Sequence, residues 1–194
     1  MSLFDKLKQQ ASGIMGQTAS NNTSAGTNKS VSVVFNSVPV SLPEFTALPQ
    51  AAMKTPFDTA ALVVLALGLY KVDKNLTVSM LNYLKGPQPL SAYDISFIAD
   101  RMAQNGKVDF IAESYFNGAT PQNNYTPTEP YTVTVSENPY SYQEQGYAQL
   151  FIKSGGADSP RPVKLRQAKD GKWYLWEQFL LSDIRPPESS NPWA

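Results

Sequence analysis

Residues 55–72, TPFDTAALVVLALGLYKV, form the stretch of the chain that is apolar on every side. Thr55 followed by Pro56 is typical of a helix start, because the Thr hydroxyl can accept an unpaired amide proton and proline has no amide to leave unpaired. A membrane-spanning helix needs about 20 apolar residues. The apolar run here, from Ala60 to Tyr70, has eleven. We therefore predict a buried central helix around which the rest of the domain is built.

The composition excludes several classes of chemistry. The chain of 194 residues has no cysteine and no histidine, which removes disulfides, thiolate nucleophiles, haem ligation, the usual zinc sites and imidazole acid–base catalysis. We expect no metal and no cofactor. Sixteen basic residues balance sixteen acidic ones, so no overall charge is available to hold nucleic acid, and we expect no nucleic-acid partner.

The first 15 residues, MSLFDKLKQQASGIM, have the spacing of an amphipathic leader helix. Its large apolar side chains fall on one arc, and they are Leu3, Phe4, Leu7, Ile14 and Met15. Residues 16–30 are small and polar, which predicts a flexible linker. We predict that the leader associates with a protein partner or a second copy of the chain, with peripheral membrane contact as the alternative. Charges interrupt its apolar residues, so it is no signal peptide and we expect a cytoplasmic protein.

The remaining pattern predicts a single α+β domain over residues 31–182. Residues 30–42 are rich in β-branched residues and predict a strand, and three helices with capping signals follow. Further strands are predicted at residues 131–135, 147–153, 162–168 and 173–181. We expect N-terminal helices that pack on one face of a C-terminal antiparallel sheet, a meander. Residues 183–194 predict an extended C-terminal tail with Trp193 as its anchor.

Asp170 and Gly171, between two strands, predict a hairpin with a two-residue type I′ turn. The pairs that follow from this register are Arg166 with Leu175, Lys164 with Glu177 and Leu165 with Trp176. One face would then pack on the helices, and it carries Val163, Leu165, Tyr174, Trp176 and Leu180. The other face would be aromatic and charged, and it carries Lys164, Arg166, Trp173, Leu175, Glu177 and Phe179. Tyr147 and Phe151 are expected on this second face.

Residues 107–145 are dense in Pro, Asn, Gly and Tyr, and long loops of this kind are often functional. Within them, VDFIAESYF at residues 108–116 has the pattern of a strand. We predict binding residues in these loops and on the charged sheet face, and no catalytic residue. They are Tyr115, Tyr125, Tyr140, Tyr142, Tyr147, Phe151, Lys164, Arg166, Trp173 and Glu177. The alternatives are tyrosines that pin irregular backbone to the domain, and a cross-strand ion pair that explains Lys164 and Glu177.

Two resemblances add to this interpretation. The opening SLFDKLKQQA resembles an LFDKLK-type leader of bacterial cytoplasmic proteins, and TPFDTAALVVLALGLY, SYFNGATPQNNYTP and WYLWEQFLLSDIRPP are similar to an uncharacterised bacterial family known as a domain of unknown function. That family implies no activity. The order of helices before a sheet that ends in GKWYL resembles the layout of the nuclear-transport-factor-2-like superfamily, which implies a ligand pocket. We predict a non-enzymatic binding or assembly module. A carboxylate-dependent enzyme, or a small-ligand pocket of that superfamily's type, is the alternative.

Overall fold

The computed structural model describes residues 28–190 and 192–193. Five antiparallel strands lie side by side in chain order, and they are β1 (Ser30–Phe35), β2 (Tyr131–Ser136), β3 (Tyr147–Ile152), β4 (Arg161–Gln167) and β5 (Trp173–Gln178). Between β1 and β2 lie the helices α1 (Leu42–Ala47), α2 (Pro56–Gly68), α3 (Lys74–Lys85) and α4 (Ala92–Ala103). The predicted α+β class with a meander sheet is confirmed. The predicted leader and most of the linker lie outside the described residues.

Helix α2 is the centre of the core. It begins after Thr55, whose hydroxyl accepts the Asp58 amide at 3.2 Å, and eleven of its thirteen residues are buried. It contacts all five strands. Its buried Thr59 hydroxyl donates to the Trp173 carbonyl at 2.7 Å, so a polar group in the core is satisfied. Full burial of each large aliphatic side chain contributes about 1.5–3 kcal/mol, so α2 makes a large contribution to stability.

Helices α3 and α4 each begin directly after a capping residue, Asp73 and Ser91 respectively. The Leu76 amide donates to the Asp73 carboxylate at 2.9 Å before α3. At α4 the predicted capping box is present: the Asp94 amide donates to the Ser91 hydroxyl at 3.1 Å, and the Ser91 amide donates to Asp94 at 2.8 Å. Hydrogen bonds from the Ser91 hydroxyl and amide lower the pKa of Asp94. These local bonds satisfy amides that a helix start otherwise leaves unpaired.

The strand predicted at residues 108–116 is wrong. The chain forms 3-10 turns at Gln104–Asp109 and Glu113–Tyr115, and Phe116 alone makes an isolated bridge, to Val133 in β2. Successive side chains in this run are buried. A strand with one buried face would instead bury every second side chain. The successive buried residues are Phe110, Ile111 and Ala112. A short apolar run of this kind does not reveal its conformation by periodicity.

The C-terminal residues are anchored by Ile184, not by Trp193 as predicted. Trp193 is 92% exposed, whereas Ile184 is buried. The neighbouring Asp183 carboxylate accepts from the buried Lys107 ammonium at 2.7 Å, and its carbonyl accepts from Arg161 at 2.8 Å. The first residues of the predicted tail therefore pack against the domain.

The turn between β4 and β5 differs from the predicted type I′ turn. The Gly171 amide donates to the Ala168 carbonyl at 3.0 Å, and the Ala168 amide donates to the Lys172 carbonyl at 2.9 Å. The loop thus has three residues, with Gly171 at φ +80° in the left-handed region. A type I turn followed by a left-handed residue is the usual three-residue hairpin loop.

The longer loop shifts the strand register by one residue. Arg166 lies opposite Tyr174, not opposite Leu175 as predicted. A bulge at Trp176 then restores the predicted pairing of the Lys164 and Glu177 backbones farther along. Leu175 is buried in the core, and the side chains of Tyr174 and Trp176 leave the helix-covered side. The predicted faces of this part of β5 are therefore reversed.

Candidate binding site on the outer sheet face

Strands β3, β4 and β5 bring an aromatic and cationic cluster together on the sheet face turned away from α2. Tyr147 and Arg166 are cross-strand partners, and the β5 bulge brings Trp176 beside them. The rings of Tyr147 and Trp176 meet edge to face with 5.5 Å between centroids. The Arg166 guanidinium carbon lies 5.3 Å from the Tyr147 ring and 5.0 Å from the Trp176 ring. Contact with two rings holds the planar guanidinium in place.

The two cations of β4 differ in their partners. Lys164 lies 4.5 Å above the Tyr147 ring and pairs with the Glu144 carboxylate at 2.6 Å. The predicted ion pair of Lys164 with Glu177 is not formed, although their backbones are opposed. Arg166 forms no ion pair with any residue that the structure describes. The Arg166 charge is therefore uncompensated in this cluster.

A pocket of about 300 Å³ adjoins the cluster at the β5 edge, with the chain after α3 as its other wall. Its charged lining residues are all cations: Lys85, Arg166 and Lys169. The Lys85 ammonium donates to the Trp176 carbonyl at 3.1 Å, which fixes it beside the strand without neutralising it. Tyr174 and Trp176 supply aromatic walls. A concave site with these groups favours an anion.

The loop after α3 approaches the pocket closely because Gly86 follows the helix. Gly86 has φ +58°, and a Cβ built on it would lie 2.3 Å from the Tyr174 ring. Glycine is therefore required both for the left-handed backbone and for the contact. The Tyr174 hydroxyl donates to Asp170 at 2.8 Å. The hydrogen bond from the Lys172 amide, and then that from the Tyr174 hydroxyl, lower the pKa of Asp170.

A second concavity of about 260 Å³ continues along β5 toward α4. The rings of Tyr93 and Phe97 stack there at 6.5 Å, and Tyr93 is 76% exposed. Asp94 and Glu177 supply carboxylates to this part of the groove. Glu177 is exposed to solvent, so it lacks the deep, dry surroundings that favour a carboxyl acid or base.

The structure places Tyr115 and Tyr125 inside the core. The Tyr115 hydroxyl donates to the Leu180 carbonyl at 2.6 Å, and the Tyr125 hydroxyl donates to the Arg185 carbonyl at 2.5 Å. Burial raises the pKa of both phenols. These two tyrosines fix the C-terminal segment to the domain, which is the structural alternative stated for them. They are not part of the outer face.

The other predicted binding residues do not join the Arg166 cluster. The Tyr142 hydroxyl donates to Glu137 at 2.9 Å, and its ring meets Trp173 edge to face at 6.5 Å. Tyr140 is 68% exposed on the same loop. Phe151 lies on the outer face opposite Pro162, at the far end of β3. The structure thus brings together Tyr147, Lys164 and Arg166.

The sequence interpretation missed Trp176, Lys85 and Lys169 as members of this site. Trp176 was assigned to the core because the predicted register placed it on the inner face. Lys85 ends α3, where a cation is favoured by the helix dipole, and that local role concealed its position beside β5. Recognition of a bulge in WYLWEQ was the missing signal, since a bulge re-aims the side chains that follow it.

Residues 37–188 match the family described as Domain of unknown function (DUF6935). The chain belongs to this family. The matched range holds all four helices and strands β2 to β5, and hence the Arg166 cluster and both concavities, whereas β1 precedes it. No curated protein and no solved structure matched the chain. The likeness to the nuclear-transport-factor-2-like layout therefore stays a prediction.

Within residues 28–190, no helix has the length and apolar character to cross a bilayer. The same part of the chain holds no group of three acidic side chains placed to hold a metal ion.

Proposed function

We propose that the protein is a non-enzymatic binding module that holds an acidic peptide segment of a protein partner at the β5 edge. The observation that carries this proposal is the uncompensated Arg166 guanidinium, held 5.0 Å from Trp176 and 5.3 Å from Tyr147. A guanidinium fixed by stacking loses less side-chain freedom when it binds, and its paired donors match the two oxygens of a carboxylate.

The charges around Arg166 support an anionic partner. Lys85 and Lys169 line the same pocket, and the Glu144 carboxylate is already bonded to Lys164. The Asp170 carboxylate is occupied by the Lys172 amide and the Tyr174 hydroxyl. A carboxylate of the partner is thus the complementary group that the pocket lacks.

The length of the groove supports a peptide. The two concavities share Lys85, Leu175 and Trp176 and run beside β5. Six residues of strand extend about 20 Å, which matches an extended segment of several residues. Exposed aromatic rings in the second concavity can receive apolar side chains that follow the acidic ones. The exposed rings are Tyr93, Phe97 and Phe179.

Side chains, more than backbone, would hold this segment. The outer edge of β5 is already bonded: the Trp173 amide donates to the Met53 carbonyl at 2.9 Å, and Lys85 occupies the Trp176 carbonyl. Addition of a sixth strand would have to displace these partners. We therefore expect a small interface of the weak, transient class, in the cytoplasmic setting that the sequence predicts.

The test is fluorescence anisotropy with two labelled pentapeptides. One has the order Glu-Phe-Glu-Glu-Phe, and the other has Lys in place of each Glu. We expect the acidic peptide to bind, the basic one not to bind, and the affinity to fall between about 0.05 and 0.5 M salt, because salt screens exposed charges. Arg166→Ala should weaken binding about tenfold or more, since a hydrogen bond to a charged group is worth about 1.5–3 kcal/mol.

Lys153→Ala is the matched control, because Lys153 is an exposed cation that directly follows β3 and lines neither concavity. The affinity of Lys153→Ala for the acidic peptide should stay within about twofold of that of the unaltered protein. Equal binding of the two peptides, or an unchanged affinity of Arg166→Ala, would contradict the proposal.

A further inference from the structure

A smaller pocket lies at the other end of the sheet and on its opposite face. It has a volume of about 180 Å³ and is lined by α2, the chain after β1, the 3-10 turn before Phe116 and the start of β2. Its walls include Leu65, Val38 and Tyr131. A dry cavity of about 150 Å³ accommodates benzene, so this pocket suits a ligand of similar size.

Glu113 is the charged residue that lines this pocket. Its Oε2 is buried without a hydrogen-bond partner among the described residues, while the side chain as a whole stays partly exposed. Burial raises the pKa of Glu113 to about 7. A buried carboxyl oxygen without a donor is costly. Glu113 lines the pocket, so a small rotation of its carboxyl group would let a ligand supply the donor.

The nearby charges do not satisfy Glu113. Lys71 pairs with Asp109 at 2.6 Å, so its ammonium is engaged. Lys71 lowers the pKa of Glu113, and Asp109 raises it. From β2, the Tyr131 hydroxyl faces Glu129 at 3.4 Å and not Glu113. Among the described residues, Lys71 and Asp109 are the charged groups that shift the pKa of Glu113.

Two aromatic rings complete the pocket. Phe116 and Tyr131 meet edge to face with 5.9 Å between centroids. Ring faces attract cations, and the attraction grows when the cation is removed from water. A carboxylate, two rings and aliphatic walls together form a site for a positively charged nitrogen that carries an apolar group.

We propose that this pocket binds a small aliphatic ammonium compound, with its nitrogen on the Glu113 carboxylate and its alkyl group against Leu65 and Val38. The proposal is independent of the acidic peptide at the β5 edge, because no residue is shared. The ammonium binds the ionised carboxyl group, so binding near pH 7 releases a proton from Glu113 to solvent. No bond is made or broken otherwise.

The experiment compares cyclohexylamine with cyclohexanol by isothermal titration of the full chain. The two probes have the same ring, and an alkyl amine stays protonated below about pH 10, as lysine does. At pH 8 we expect the amine to bind at least tenfold more tightly than the alcohol. At pH 5, where Glu113 is protonated, the preference should disappear.

Glu113→Gln keeps the shape of the side chain and removes its charge. This variant should bind amine and alcohol equally at pH 8, whereas the control Glu188→Gln, at an exposed position outside this pocket, should keep the preference. Circular dichroism confirms that both variants are folded. Equal binding of the probes to the unaltered protein at pH 8, or a full preference in Glu113→Gln, would overturn the proposal.

Two further arms separate the sources of the ammonium group and the two sites. Nα-acetyl-lysine amide carries the same group on a peptide, and tighter binding of it than of cyclohexylamine would overturn the assignment to a small molecule. Arg166→Ala should leave amine binding unchanged while it loses the acidic peptide. Failure of one site is thereby distinguished from failure of the other.

Discussion

The Arg166 cluster and the Glu113 pocket place single charges on opposite faces of one sheet. Arg166 is exposed on strand β4, and two aromatic rings hold it. Glu113 stands on a 3-10 turn among apolar walls, with one oxygen unpaired and its pKa raised to about 7. Water screens the first charge and is largely withheld from the second. The difference teaches that Arg166 can serve binding without a stability cost, whereas Glu113 must lower stability when it ionises.

The largest expected effect tests whether the wall of the Glu113 pocket belongs to the core. Leu65 lines that pocket from α2 and is 2% exposed. Leu65→Asp should abolish the cooperative thermal transition, because a partnerless buried charge costs several kcal/mol against a total stability of about 5–15. Leu65→Met should lose less than about 1.5 kcal/mol. Val34→Asp, at a site 40% exposed, should melt nearly normally; an unchanged transition in Leu65→Asp would show that α2 is not central.

The next effect concerns pH. Folded Glu113 holds a proton that the unfolded chain releases, so its contribution to stability is complete below pH 4.5 and is lost as pH rises through about 7. At about 1.4 kcal/mol per pKa unit, and reduced for partial exposure, the loss is about 2–3 kcal/mol at pH 8. In urea titrations, the free energy of unfolding of Glu113→Gln should rise by this amount, relative to that of the unaltered protein, between pH 4.5 and 8. If the free energies of unfolding of the two proteins vary with pH in parallel, the Glu113 carboxyl group is solvated, like the charges of the outer face.

A smaller effect is expected in the hairpin that carries Arg166. Gly171 has φ +80° and open space around it, so a substitution there acts through the backbone alone. Gly171→Val should cost about 1–2 kcal/mol, because a β-branched residue resists positive φ, whereas Gly171→Asn tolerates it better. Asp170→Asn should cost less than Gly171→Val. Equal midpoints for the Val and Asn variants in chemical denaturation would mean that the three-residue loop is wrong.

The smallest effect on stability is expected at Arg166 itself. Arg166→Ala should shift the free energy of unfolding by no more than about 0.5 kcal/mol, as surface changes usually do, while acidic-peptide binding falls. Arg166→Lys should bind with intermediate affinity because it keeps the charge and loses the planar contact. A destabilisation as large as that expected for Gly171→Val would assign Arg166 to the framework and remove the contrast with Glu113.

Local signals were sufficient for much of the fold. The apolar run of α2 and the helix caps at Thr55 and Ser91 depend on residues close to them in the sequence. The sequence therefore predicts them correctly. The β4–β5 register could not be derived in this way. Asp170-Gly171 fits both a two-residue and a three-residue loop, and the choice reverses which face Trp176 occupies.

The Glu113 pocket could not be predicted because its parts come from distant positions. Leu65, Glu113 and Tyr131 meet only after α2, the 3-10 turn and β2 have packed together. One signal was present: a single carboxylate, Glu113, stands inside the run FIAESYF at residues 110–116. Read as a strand, that run places Glu113 on a solvent face, and only the irregular backbone turns it inward.

Strand β1 has a consequence for how the chain is made. Val33 pairs with Val133, one hundred positions later, whereas the other strands pair with near neighbours. At a synthesis rate of about 5–20 residues per second, β1 waits about 5–20 s for its partner to leave the ribosome. Closing so long a loop is also entropically unfavourable until the helices shorten it. During synthesis, the apolar side of β1 therefore stays open to chaperones and to neighbouring nascent chains for longer than that of any other strand of this sheet.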